Sequence, residues 1–356
     1  MVIITLGILL IISTASATEY VLNSSSIEQF KNGINYNGGD ELIIVIDDNV
    51  TIQSATNAGI QSAAPITIRS PANSTLTIIV NNDTERLFGI KAPSVSIESG
   101  VLDISVRGRN DSDKGQAFGI FAGSGNATIS GGTITTNVNT TGHKNKGMFA
   151  SGFITVSGGR IVTNQTGGEN TFGFDGGSGG NSGGVMISGG NVEVFSTRGT
   201  QRNLGMDSFS GTIGISGNPV IIIYEDENGT VQNYPYNPHI TTISGGNAVV
   251  FTSAGGNFTL RENAVLTQTA SLIADRTFEI PAGLKLGISE GTDLQQPADT
   301  TFLFGGGYGM LTNATTTVGE NGDIIYDGNK STPSGPVSFM VILAGFCIAV
   351  ILIRRR

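Results

Sequence analysis

The sequence predicts an all-β chain wound into a right-handed parallel β-helix. This is a three-faced solenoid of about eight to ten rungs, with a short N-terminal capping helix and one C-terminal transmembrane helix. Two registered columns of apolar residues predict it, together with a composition rich in glycine and poor in charge.

The first column runs through Ile68, Ile97, Ile129, Val156, Ile187, Ile215 and Ile243, 27 to 32 residues apart. Its later members open Ser-Gly turns, as in Ile129-Ser130-Gly131-Gly132 and Ile187-Ser188-Gly189-Gly190. The second column repeats at matching intervals: Phe88-Gly89-Ile90, Phe118-Gly119-Ile120, Lys146-Gly147-Met148, Phe172-Gly173-Phe174 and Leu204-Gly205-Met206. After each Ser-Gly-Gly comes a further alternating strand, such as Asn191-Val192-Glu193-Val194. Each repeat thus holds three short strands, with turns too close together for crossover helices. Wound as a coil, equivalent residues stack rung on rung, about 4.8 Å apart. The apolar column then lines the inside, and glycine takes corners that need φ > 0.

Glycine makes up 52 of 356 residues, about twice ordinary usage, without a Gly-X-Y period. Val, Ile and Thr abound, which suits many short strands joined by tight turns. Only 13% of residues are charged, too few for long solvated helices, and the net charge is −9. Nucleic acid would be repelled by such a chain; cations and neutral or amino sugars fit its charge better. The single cysteine, Cys347, lies in a C-terminal apolar run, so the body of the chain has no disulfide and no thiol zinc site.

At the N-terminus, the apolar run Val2–Ile12 and Ala15-Ser16-Ala17 read as a signal peptide over 1–17. Residues 18–64 form the cap and first coils. Here Ser25-x-x-Glu28 reads as a capping box opening a helix from Ile27 to Ile34 over the first rung. Regular β-helix repeats span 65–257, and β-coils of a different period span 258–330. A Thr/Pro stalk at 331–336 leads to an uncharged transmembrane helix at 337–353 and the basic tail 354–356. Arginines stay inside, so the chain is a single-pass protein with its body on the extracellular face and its C-terminus cytoplasmic. Asn-X-Ser/Thr sequons agree with that location and are the glycosylation candidates: Asn23, Asn49, Asn73, Asn82, Asn110, Asn126, Asn139, Asn164, Asn228, Asn257, Asn313 and Asn329.

The order of signal peptide, body, Thr/Pro stalk, apolar run and basic tail resembles archaeal surface proteins, methanogen ones especially. The Ile-Ser-Gly-Gly rungs followed by the Gly-centred column, over residues 65–250, resemble a family of carbohydrate-binding right-handed β-helix proteins, relatives of pectate lyases. The resemblance implies binding of acidic sugars such as polygalacturonate, with calcium. In that family the second column often reads Asp-Gly-Ile; here its first position holds Phe88, Phe118, Lys146, Phe172 and Leu204.

The alignment of the second column places Lys91, Phe121, Phe149, Asp175 and Asp207 at one position on successive rungs. Asp175 and Asp207 then stand one above the other, a pair that either holds calcium within an acid-sugar groove or splays into water as turn residues. Phe121 and Phe149 follow inward residues and should point outward, as a sugar-stacking platform or as an aromatic ladder of the fold. Arg160, with Arg107 and Arg109, either holds ligand carboxylates or is solvated. His143 and His239 lack partner spacing for a metal. Asp47-Asp48 and Glu225-Asp226-Glu227 read as solvated acidic turns, and Asp111-x-Asp113 as a nonspecific pair. A glycosidase needs two carboxylates flanking the bond, and only Asp175 and Asp207 approach that. The sequence therefore reads as a non-enzymatic, surface-anchored carbohydrate binder or adhesin. The alternatives are a structural envelope protein of S-layer or sheath type, and a polysaccharide lyase or glycosidase.

Overall fold

The computed structural model describes residues 16–108, 115–177, 183–208, 212–225, 240–244, 248–254, 256–272, 275–289, 292, 294–295, 300–304, 316–318 and 324–327. Their chain winds as a parallel β-solenoid of the right-handed type with three sheets as faces. The nine-stranded face begins Ala17–Leu22, Glu41–Ile46, Ile66–Arg69 and ends at Ile240–Ser244. The eleven-stranded face begins at Val50–Ser54 and stays parallel through Val249–Ala254. The seven-stranded face comprises Ile34–Tyr36, Ala58–Ser62, Arg86–Ala92, Gln116–Ala122, Lys144–Ala150, Asn170–Gly176 and Arg202–Ser208.

The column read from sequence is the register of the nine-stranded face. Ile68 pairs with Ile97, Ile97 with Ile129, Ile129 with Val156, Val156 with Ile187, Ile187 with Ile215 and Ile215 with Ile243. Its members up to Ile215 are buried in one continuous core with the inward residues of the other faces, such as Leu102, Ile104 and Ile134. The corners stack as well. Gly132, Gly159 and Gly190 take φ of +81°, +83° and +82°, a conformation costly for any side chain. Their carbonyls accept from Arg160, Asn191 and Val220 on the rungs beyond, which carries the ladder around each bend.

Four expectations need correction. The turns that close through all three faces number about seven, not eight to ten. The parallel stack ends at Val249–Ala254, because Phe258–Leu260 returns antiparallel beside it. The N-terminal helix is the single turn Ile27–Phe30 rather than Ile27 to Ile34. Gly33 breaks it with φ +119°, and Ile34 already belongs to a strand. The capping box is not formed: Ser26 is the N-cap and makes no side-chain cap bond, while Asn23 Oδ1 accepts from the N–H groups of Ser25 and Ser26. Nor does the helix precede the coils. The strand Ala17–Leu22 comes first, and the helical turn sits where the first rung's second strand belongs. The N–H of Gln53 on Val50–Ser54 donates to the Lys31 carbonyl at 2.7 Å.

Beyond Phe258 a second core forms against the outward side of the last rungs. Ile222 and Phe251, which face out of the solenoid, are buried there under Phe258 and Phe278. Phe258 and Phe278 stack at 5.0 Å, and Phe251 meets Phe278 edge-on at 5.1 Å. Among the described residues no helix is long and apolar enough to cross a membrane. The expected transmembrane helix at 337–353, the stalk, the tail and all but the end of the signal peptide lie outside the described residues.

Candidate functional site

The glycine of the second column creates the site. Along Arg86–Ala92, Leu87, Ile90 and Ala92 are buried in the solenoid interior. Gly89 lies against the opposite wall, where an added Cβ would stand 2.2 Å from Ile104 Cγ2. The residue pairing steps over this glycine on every rung. Alternation is broken there, so Phe88 and Lys91, three residues apart, both face outward. Two outer columns therefore run side by side along the seven-stranded face. One holds Ala58, Phe88, Phe118, Lys146, Phe172 and Leu204; the other holds Gln61, Lys91, Phe121, Phe149, Asp175 and Asp207.

The structure brings Phe121, Phe149, Asp175 and Asp207 onto one face, in the register read from sequence. Phe88 stacks on Phe118 at 5.2 Å and Phe121 on Phe149 at 5.0 Å, while Phe118 meets Phe121 edge-on at 4.8 Å. These rings form a cluster apart from the interior core. Both point outward as expected, packed as a ladder in which Phe149 is only 8% exposed and Phe121 is the half-exposed ring of the pair.

Asp175 is buried as well, in a salt bridge with buried Lys146 one rung before it. The Lys146 ammonium lies 4.4 Å from the Phe149 ring centre, 5.5 Å from Phe172 and 5.6 Å from Phe118. An ion pair removed from water needs such compensation. This arrangement bears on calcium, which takes six to eight oxygens. The Asp175 carboxylate is already engaged by an ammonium, and among the described residues no group of three or more His, Cys, Asp or Glu side chains converges.

Cations border the aromatic rows. The strands of this face carry Arg86, Lys91, Lys144, Lys146 and Arg202 against Asp175 and Asp207, so 5 − 2 gives +3 on a chain of net charge −9. The nine-stranded face holds Arg69 against Glu19 and Glu41, or −1. The parallel strands of the eleven-stranded face hold Arg107 and Arg160 against Asp103, Glu193 and Glu225, also −1. Lys144 has its pKa lowered, chiefly by burial and then by Lys146 beside it. The sequence reading missed this cationic border. Its trace was Lys144-x-Lys146, where lysine interrupts an otherwise apolar column.

Arg160 lies on another face. It opens a strand of the eleven-stranded face and pairs with Glu193 on the next rung at 2.7 Å. Burial raises the Glu193 pKa and Arg160 opposes that rise. Arg107 lies on the same face, whereas Arg109, Asp111, Asp113 and His239 lie outside the described residues. His143 is partnered by Glu169 at 2.6 Å. Asp47 and Asp48 are exposed at the corner between Glu41–Ile46 and Val50–Ser54, as expected of a solvated turn. Glu225 contradicts its reading as part of a solvated turn: it is 2% exposed and accepts from the Gly205 N–H. Burial pushes its pKa up to about 7.

Of the sequon asparagines, Asn49, Asn73, Asn126, Asn139 and Asn257 are exposed and Asn23, Asn82 and Asn164 half-buried; Asn110, Asn228, Asn313 and Asn329 lie outside the described residues. No sequon begins on a strand of the seven-stranded face. Comparison with known protein families, with characterised proteins and with solved structures returns no match.

Proposed function

We propose that this chain is a surface-anchored, non-enzymatic carbohydrate-binding protein that lays an extended acidic polysaccharide along the outer face of the seven-stranded sheet. The observation that carries this is the +3 balance of that face on a chain of −9, set beside an aromatic row. Lys91, Lys144, Arg86 and Arg202 supply charge-assisted hydrogen bonds to uronate carboxylates. The half-exposed Phe121 ring offers an apolar surface to the C–H side of a sugar ring. Rungs about 4.8 Å apart present these groups as a regular strip suited to a linear polymer. No sequon begins on its strands, so glycans at the corners and on the eleven-stranded face leave it open. Surface anchoring rests on the signal-like N-terminus, the apolar run 337–353 and the arginines 354–356.

The test is binding of the full chain, dispersed in detergent, to polyuronates and to neutral polysaccharides, at low and high salt and with calcium or a chelator. Saturable polyuronate binding that weakens with salt and in Lys144→Glu, and persists under chelation, is expected. Absence of binding to every polysaccharide, with ordered arrays of the chain in its membrane, would replace this reading with a structural envelope role.

A further inference from the structure

The two outer columns change character at the N-terminal end of the seven-stranded face. Where later rungs carry Phe88 and Phe118, the strand Ala58–Ser62 carries Ala58; where later rungs carry Lys91 and Phe121, it carries Gln61. One rung earlier, Asn35 pairs with Gln61 and Ile34 with Ile60, at the end of the sheet. A half-open cleft of about 330 Å³ lies beside Ala58, lined by Asn32, Asn35, Thr56, Asn57, Ala58 and Gln61 among others. That is within the range of small-ligand sites.

No ionisable side chain lines this cleft. The side-chain amides of Asn32 and Asn35, which are exposed, and of Asn57, which is half-buried, make no hydrogen bond to the described protein, and Gln61 Oε1 accepts only a long bond, 3.4 Å, from Lys91. Each amide offers one acceptor oxygen and two N–H donors. Several such groups around one small cleft match a ligand whose hydroxyls both donate and accept; the one cation beside them, Lys91, sits at the edge on Gln61. The geometry points to a binding site for one uncharged sugar unit, at the end of the face that holds the polymer. The proposal rests on the carbohydrate reading above and adds to it a separate position and a separate ligand class.

The test compares wild type, Ala58→Phe and Phe121→Ala, all as full chain. Ala58→Phe continues the phenylalanine column of the next rungs into the cleft. Probes are neutral hexoses, neutral tetrasaccharides and a polyuronate, followed by saturation-transfer NMR and calorimetry. Hexose and tetrasaccharide binding by wild type is expected, with loss in Ala58→Phe and no change in Phe121→Ala. Asn57→Ala, which removes one amide without filling space, should weaken it about tenfold. Binding of tetrasaccharide but not free hexose assigns the site to chain ends; equal binding per unit assigns it to free sugar. Either supports the site. Neutral-sugar binding that survives Ala58→Phe overturns it, as does polyuronate binding by a wild type that takes no neutral sugar, and the latter leaves the polymer face standing. No binding of any probe overturns both.

Discussion

Lys146 and Asp175, on successive rungs of the seven-stranded face, form a buried ion pair inside a ring of phenylalanines. Removing one partner leaves an unpaired charge in apolar surroundings, whereas removing both leaves a gap in an aromatic ladder. Lys146→Phe alone or Asp175→Leu alone should therefore destabilise the fold by about 3–5 kcal/mol, and the double variant Lys146→Phe/Asp175→Leu should recover most or all of it. Urea unfolding of the two single variants and the double checks this. Equal loss in the double and the singles would mean that the pair is not coupled.

Glu225 sets a pH dependence. Its usual pKa is 4.5, and burial holds it at about 7 in the fold, with Asp207 adding to the rise while Gly205 N–H and Arg261 oppose it. A carboxyl whose folded pKa lies above its unfolded one binds its proton more tightly when folded. Its contribution is fully present below pH 4.5 and is lost as pH rises through 7. The loss amounts to about 3 kcal/mol. Glu225→Gln should abolish this slope and be the more stable protein at pH 8. Chemical denaturation at pH 5 and pH 8 measures it, and an unchanged slope in the variant would assign the effect elsewhere.

How the sequence led to these residues, and where it stopped, follows from one local feature. A repeat of regular length places equivalent residues in register, so Ile68–Ile97–Ile129 and Phe121–Phe149–Asp175–Asp207 were legible from spacing alone. Contacts between the two outer columns were not. Strict alternation puts residues three apart on opposite sides of a strand, and only the step at Gly89, Gly147 and their equivalents brings them to the same side. The Lys146–Asp175 pair runs diagonally across that step. Glu225 misled for another reason: followed by Asp226-Glu227, it read as part of a turn, but its position on Val220–Glu225 points it inward beside Gly205. The helix was overextended because the apolar spacing of Ile27, Phe30 and Ile34 hides the break at Gly33.

The two classes of glycine should respond differently to alanine. At Gly173, where φ is not positive, a Cβ would stand 2.0 Å from Val194 Cγ1, a side chain that can be shortened, and 2.4 Å from the Gly205 carbonyl oxygen, which cannot, so shortening Val194 relieves only part of the clash. At Gly190 a Cβ would meet the Gly159 carbonyl at 2.6 Å with φ at +82°, and no neighbouring side chain is to blame. Both substitutions should cost about 1–3 kcal/mol. Adding Val194→Ala should recover part of the Gly173→Ala loss and none of the Gly190→Ala loss. A double-mutant cycle on each pair reads the coupling directly, and rescue at both positions or at neither would reject the distinction.

Arg160 provides the control for the proposed polysaccharide face. Its partner Glu193 is only 8% exposed, while the Arg160 side chain is 47% exposed, on a different sheet from Lys144. Arg160→Ala should therefore cost about 1 kcal/mol of stability, by leaving Glu193 without its counter-charge. It should leave the polyuronate dissociation constant unchanged. Lys144→Ala should do the reverse, because Lys144 borders Lys146 and Arg202 in a crowded cationic row that the fold tolerates without needing it. Its loss should weaken polyuronate binding about tenfold, the scale of one charge-assisted contact, and flatten the salt dependence. Thermal unfolding and titration of both variants separate the two effects. Weakened binding in Arg160→Ala with Lys144→Ala unaffected would move the site to the eleven-stranded face.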